Sequence, residues 1–257
     1  MHRRVGFIIG LLIFLTVVFP VFGGGKTEAA ARQAVTKIIV ATDATWPPME
    51  FVNEKKEIVG FDIDLLNEAA REGGFEVEFR NTAWDGIFAG LKNRQYDAVI
   101  SSVTITEERK QEMDFSLPYI NAGQVLVVRK DAAGVETLAD LKGKAVGAQI
   151  GTTGAMEIDK VQGVTLKTYD ELGLAVEDLV NTRIEGVVAD SPTAANYVLQ
   201  NDNYKGKLKI VGKPFTEEFY GVAVTKGNTK VLDLINKGLK KVLDSGKVEE
   251  LKNKWMR

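Results

Sequence analysis

Lys37-Ile38-Ile39-Val40-Ala41, followed by Phe61–Gly73 and then by Glu76-Val77-Glu78-Phe79, is the stretch that decides the fold. The first and last segments are short strand-forming runs, and between them Ile63, Leu65, Leu66, Ala69 and Ala70 recur at helical spacing. Together they read as one strand–helix–strand unit. Residues 84–93 repeat the helical period through Ile87, Phe88 and Leu91, and Ala98-Val99-Ile100 reads as a buried strand ending at Ser101-Ser102. After a long strand, Gln124–Arg129, the alternation begins again. Helices are predicted near Leu138–Leu141, after Gly151, over 172–179 and over 193–199, with strands at 145–148, around 164–167 and at 186–189. Two consecutive sets of this kind predict two α/β lobes. A last strand, 220–225, and a terminal helix, 231–255, need a sheet to join. Return to the first lobe gives two chain crossings, hence a hinge and a cleft.

Composition removes several chemistries. The 257 residues contain no Cys and a single His, His2 at the extreme N-terminus, so disulfides, thiolate nucleophiles, Cys-ligated metals and a core histidine base are all excluded. No catalytic residue, metal or cofactor is expected. Charges are balanced, 33 Lys+Arg against 35 Asp+Glu, so nothing points to nucleic acid.

The chain opens Met1-His2-Arg3-Arg4, runs uncharged from Val5 to Phe22 and meets Gly23, Gly24 and Gly25. That layout predicts a signal peptide over 1–23, with an uncleaved anchor as the alternative because the run approaches the length of a membrane span. Its removal takes away Arg3 and Arg4 and leaves 31 positive against 35 negative residues, a net −4. With no Cys after the run, lipid attachment there is excluded, and a periplasmic protein is expected. Residues 24–36 read as a linker, partly helical through Glu28-Ala29-Ala30-Ala31-Arg32.

Four phrases then occur in order: Asp43-Ala44-Thr45-Trp46-Pro47-Pro48-Met49-Glu50-Phe51, Val59-Gly60-Phe61-Asp62-Ile63-Asp64-Leu65, Ser101-Ser102-Val103-Thr104-Ile105-Thr106-Glu107-Glu108-Arg109, and Phe115-Ser116-Leu117-Pro118-Tyr119. With Asp140-Leu141-Lys142-Gly143-Lys144, Gly151-Thr152-Thr153 and Tyr220-Gly221-Val222-Ala223-Val224, the set resembles the polar amino-acid-binding periplasmic solute-binding proteins. These are the lysine/arginine/ornithine, histidine, arginine and glutamine binders that feed ABC importers. The resemblance runs from Lys37 to the end. It implies a two-lobed type II periplasmic binding fold with lobe 1 at 37–121 and 221–257, lobe 2 at 125–214, and hinges near 121–124 and 215–221.

It also implies a site for a free L-amino acid. Arg109 is the family's clamp for the α-carboxylate, which suits the fork of a guanidinium. Thr104 and the Thr152-Thr153 turn would donate to the same group. Asp190 matches the acceptor of the α-ammonium, with help from Ser101 and Ser102; the lesser reading, compatible with the first, is the cap of a following helix, Asp190-Ser191-Pro192. Trp46 and Trp84 match the two aromatic walls around the ligand side chain. Asp43 would meet the side-chain tip, and Gln149 resembles arginine-specific relatives. Glu217 or Glu218 could add a carboxylate, the plainer reading being a solvated loop charge. Arginine is the favoured ligand, glutamine the next, and lysine, ornithine or histidine follow. An ABC transporter permease is the expected partner of a monomer. The competing classes are the sensory domain of a receptor, which would need a membrane or signalling segment beyond Arg257, and an enzyme resembling cyclohexadienyl dehydratase, which would need a catalytic Glu in place of the amino-group pocket.

Overall fold

The computed structural model describes residues 35–256 together with His2. The expected signal peptide and nearly all of the expected linker lie outside the described residues. Among the described residues no helix is long and apolar enough to cross a membrane.

The first sheet is entered by β1 (Thr36–Thr42), followed by a three-stranded ribbon of β2 (Thr45–Trp46), β3 (Glu50–Val52) and β4 (Ile58–Val59). Helix α1 (Phe61–Gly73), β5 (Phe75–Asn81), α2 (Ile87–Lys92), β6 (Ala98–Val99), α3 (Glu107–Glu112) and β7 (Met113–Phe115) complete the outward pass. The chain leaves through β8 (Ile120–Asn121). The second sheet takes β9 (Gln124–Arg129), β10 (Ala145–Gln149), α4 (Thr153–Asp159), β11 (Thr165–Tyr169), α5 (Leu172–Val180), β12 (Gly186–Asp190), α6 (Ser191–Ala195) and β13 (Leu208–Val211). The return passes through β14 (Phe219–Tyr220), which pairs antiparallel with β8. Then β15 (Ala223–Thr225), α7 (Thr229–Asp244) and α8 (Lys247–Trp255) close the first lobe. Strand orders are β5-β1-β6-β15-β7 and β11-β10-β12-β9-β13. In each sheet the strands that arise within the lobe run parallel, and the strand entering from a crossing runs antiparallel.

Both sheets are covered on both faces, which explains the uninterrupted apolar runs. In β1, Ile38 and Val40 join the cluster with Leu65, Leu66, Ile235 and Leu239, while Ile39 and Ala41 face Ile87, Leu91 and Val99. In β9, Val125 and Val127 meet Leu172, Val176 and Leu179, while Leu126 and Val128 meet Ala155 and Ile158.

Three expected elements differ. The single strand over 220–225 is two: Tyr220 pairs with Ile120 in the crossing, and pairing in the first sheet starts at Ala223. Between them the Val222 N–H is taken by the Ser116 hydroxyl at 2.9 Å. The single terminal helix breaks at Ser245-Gly246, where Gly246 has φ +76°. The helix expected over 193–199 starts earlier, at Ser191, and relaxes into a π turn over Asn196–Gln200. Helices α1 and α7 touch backbone to backbone: a Cβ on Gly238 would lie 1.8 Å from the Ala69 carbonyl oxygen.

Candidate functional site

Open α/β sheets place ligands beyond the carboxyl ends of their parallel strands. Four such ends meet here. Asp43 follows β1, Ser101-Ser102 follow β6, Gln149 ends β10 and Asp190 ends β12. Asp43, Trp46, Trp84, Ser101, Ser102, Thr104, Arg109, Gln149, Thr152, Thr153 and Asp190, the eleven expected residues, line one cavity between the sheets. Glu50 lines it as well, a residue that sequence reasoning misses.

At one end stands Arg109. It lies in α3, whose cap Thr106 accepts from the Arg109 backbone N–H at 3.1 Å, yet its side chain is buried and not a solvated helix-start charge. Its guanidinium carbon sits 5.1 Å from the Phe88 ring centre and 5.5 Å from that of Trp84, and those two rings meet edge-on at 5.0 Å. Nη1 donates to the Thr104 carbonyl at 2.9 Å, and Nη2 crosses to the Gly151 carbonyl of the other lobe at 3.2 Å. Burial pulls its pKa down, and the charges of Asp190, Glu218 and Glu108 act against that. Thr152 is the cap of α4: its hydroxyl accepts from the Ala155 N–H at 3.3 Å and donates to the Gln149 carbonyl at 2.7 Å.

Asp190 sits at the start of α6, but its side chain makes no capping bond. It accepts instead from Gln124 Nε2 at 2.9 Å. Burial, and then the negative charge of Glu218, push its carboxyl up to about 7.

The far end is acidic. Glu50, fully buried, accepts from the Ser101 hydroxyl at 3.3 Å and the Ser102 hydroxyl at 3.2 Å. Behind it Asp62 accepts from the Ser102 N–H at 2.9 Å and the Tyr119 hydroxyl at 2.8 Å. Desolvation pushes both carboxyls up, and for Glu50 the charges of Asp62 and Asp43 add to it. Asp43 is raised by burial, against the bonds it accepts from Thr45 and Gln149. Gln149 Nε2 reaches Asp43 Oδ2 from the other lobe at 3.0 Å. Ser102 carries φ +50°, a left-handed turn that aims its N–H at Asp62.

Trp46 and Trp84 are both packed into the core clusters and both line the cavity, so each serves as wall and core at once. The reading of Glu217 or Glu218 as solvated loop charges needs correction: Glu217 is exposed, but Glu218 is buried. Its Oε2 accepts from Thr104 Oγ1 at 2.8 Å and Thr153 Oγ1 at 2.7 Å. Gln124, fully buried and donating to Asp190, is a second residue that sequence reasoning misses. Two signals could have found the acidic pair. Glu50 is the cross-strand partner of Trp46, so the two share a face of the ribbon. Glu218 lies two residues from the buried Tyr220, on the inward phase of an extended segment.

Two α/β lobes, joined by two crossings around an enclosed and charged cleft, define a type II periplasmic binding fold. The chain matches the bacterial extracellular solute-binding proteins, family 3, over residues 38–257 and belongs to that family. It is 37% identical over 238 residues to a probable histidine-binding protein of Neisseria gonorrhoeae, covering 91% of this chain and 88% of the relative. An ancestral arginine-binding protein bound to glutamine is 43% identical with TM-score 0.81, and one bound to arginine is 42% identical with TM-score 0.81. Each comparison covers 86% of this chain and 98% of the other. The relatives are named as binding proteins, and this chain is a solute-binding protein rather than an enzyme.

Proposed function

We propose that the protein captures free L-arginine between its lobes and delivers it to the membrane permease of an ABC importer. The carrying observation is the charge balance of the cleft. Arg109 takes the ligand's carboxylate and Asp190 its ammonium, after which the carboxyls of Asp43 and Glu50 remain without a cation in the same cavity. Buried carboxyls are costly unless paired, so a cationic side chain is the complement that relieves both. Trp46 and Trp84 supply flat faces on which a guanidinium stacks.

Lobe 1 contributes Asp43, Trp46, Glu50, Trp84, Thr104 and Arg109, and lobe 2 contributes Gln149, Thr152, Thr153 and Asp190. The second set engages only when the lobes close about β8 and β14, so binding shifts the population towards the closed form that a permease recognises. Three or four charge-assisted bonds at about 1.5–3 kcal/mol each, less ordering costs, support micromolar affinity. Export by a cleaved signal over 1–23 puts the protein in the periplasm.

Glutamine is the second reading, favoured by one contact: the Gln149 amide donates to Asp43 as a ligand amide would. Calorimetric titration of ligand-stripped protein against the free amino acids decides between them. Arginine tightest supports the proposal; glutamine tightest, or no amino acid bound, rejects it.

A further inference from the structure

We propose that Glu218 is a closure latch, a carboxylate in the second crossing that holds the lobes together through Thr104 and Thr153 and tightens binding of every ligand by the same factor. Glu218 lies outside the cavity lining, behind the threonines that face it. Its Oε2 gathers donors from both lobes: Thr104 Oγ1 at 2.8 Å, Thr153 Oγ1 at 2.7 Å and Gln124 Nε2 at 3.4 Å. Its Oε1 accepts from Thr216 Oγ1 at 2.8 Å.

The backbone decides which of these contacts depends on closure. The Glu218 carbonyl accepts from the Ala122 N–H of the first crossing at 2.8 Å. The next residues are stitched to the Thr104 loop, Ile105 N–H to the Phe219 carbonyl at 2.8 Å and Gly221 N–H to the Val103 carbonyl at 3.0 Å. Glu218 is therefore tied to the Thr104 side, and the Thr104 bond persists whether the lobes are open or shut. The bond to Thr153, at the first turn of α4, spans the lobes and exists only when they are together, as does the approach of the Thr104 and Thr153 hydroxyls at 3.5 Å. A single charge-assisted bond made only on closing favours the closed state about tenfold. Because Glu218 faces hydroxyls and an amide and not the cavity, that factor is blind to the ligand side chain. The same bond also fixes the orientation of Thr153, a residue of the cleft wall.

The latch rests on the amino-acid reading for its affinity arm and stands apart from it for its conformational arm. The chain contains no Cys, so one introduced cysteine per lobe, Asn93→Cys and Lys160→Cys, gives a unique FRET pair in the full protein. Glu218→Ala and Thr153→Val are measured in that background with and without ligand, alongside stopped-flow dissociation of arginine and of glutamine. The expected result is a lower closed fraction in the ligand-free variants and faster release of both amino acids by about the same factor, roughly tenfold, with the arginine-to-glutamine ratio unchanged. A loss confined to arginine would make Glu218 a guanidinium contact and overturn the latch, as would an unchanged closed fraction. If Glu218→Ala does not fold, Thr153→Val, which keeps the side-chain shape and removes the donor, tests the latch by its ligand-free closed fraction alone, since Thr153 also lines the cleft; an unchanged fraction overturns the latch. Should the parent bind no amino acid, the amino-acid reading fails while the ligand-free FRET comparison still tests the latch.

Discussion

Raising the pH from 5 to 8 ionises Asp190 and drives folding stability and ligand affinity in opposite directions. Burial lifts this carboxyl from 3.8 to about 7, with Glu218 adding to the lift. Between about pH 4 and 7 the folded protein holds a proton that the unfolded chain has released, so stability falls as pH rises through that window. A lift from 3.8 to about 7 corresponds to on the order of 4 kcal/mol in all, of which about 2 falls between pH 5 and 7. For a domain of this size that is a change in Tm of about 5–10 °C. Asp190→Asn keeps the shape and the Gln124 contact but carries no proton equilibrium. The ligand-free Tm of Asp190→Asn, relative to the parent, should therefore climb between pH 5 and 7 and level off above. Binding runs the other way, because an α-ammonium pairs with the ionised carboxylate. Arginine affinity should rise by about a hundredfold from pH 5 to 8, with proton release on binding near pH 7 seen as a dependence of the calorimetric enthalpy on the buffer. A Tm gap that stays flat across pH, or an arginine affinity that does not move, would refute the assignment of Asp190 as the buried acceptor.

Arg109→Ala removes the carboxylate fork and should weaken every amino acid by at least about a hundredfold in calorimetry, and Arg109→Lys should recover only part of it because one ammonium cannot donate as a fork. Glu50→Gln keeps one acceptor oxygen, turns the other into an amide that can donate to a serine hydroxyl, and removes the charge; arginine should lose about tenfold while glutamine changes by less than about threefold, and equal losses would take Glu50 out of side-chain recognition. Gly238→Ala forces a Cβ to within 1.8 Å of the Ala69 carbonyl oxygen and should cost about 2–3 kcal/mol, roughly 5–10 °C of Tm, with ligand affinity unchanged since neither residue lines the cleft.

How far this molecule can be read from its sequence depends on which residues carry their environment with them. The sheets are legible because a strand covered on both faces carries an unbroken apolar run, as at Val125, Leu126, Val127 and Val128, and α1 because its buried face repeats at Leu65, Leu66, Ala69 and Ala70. The expected cleft residues gather at one cavity: Asp43, Ser101, Ser102, Gln149 and Asp190 stand at or just past strand ends and Thr152-Thr153 open a helix, while Trp46, Trp84, Thr104 and Arg109 are expected from the family resemblance. What escapes has only a weaker marker. Glu50 sits between Met49 and Phe51 in a ribbon of very short strands, and its inward phase shows only once Trp46 is known to lie opposite. Glu218 looks like its exposed neighbour Glu217, and what separates them is a contact to Thr104, 114 residues away in the chain. A carboxyl's cost of burial is set by its partners, and for both these residues the partners come from the other end of a long-range fold. The acidity of the cleft is thus a tertiary property: no window of sequence contains it, although Asp43, Glu50 and Asp62 lie within recognisable phrases and Glu218 lies two residues from one.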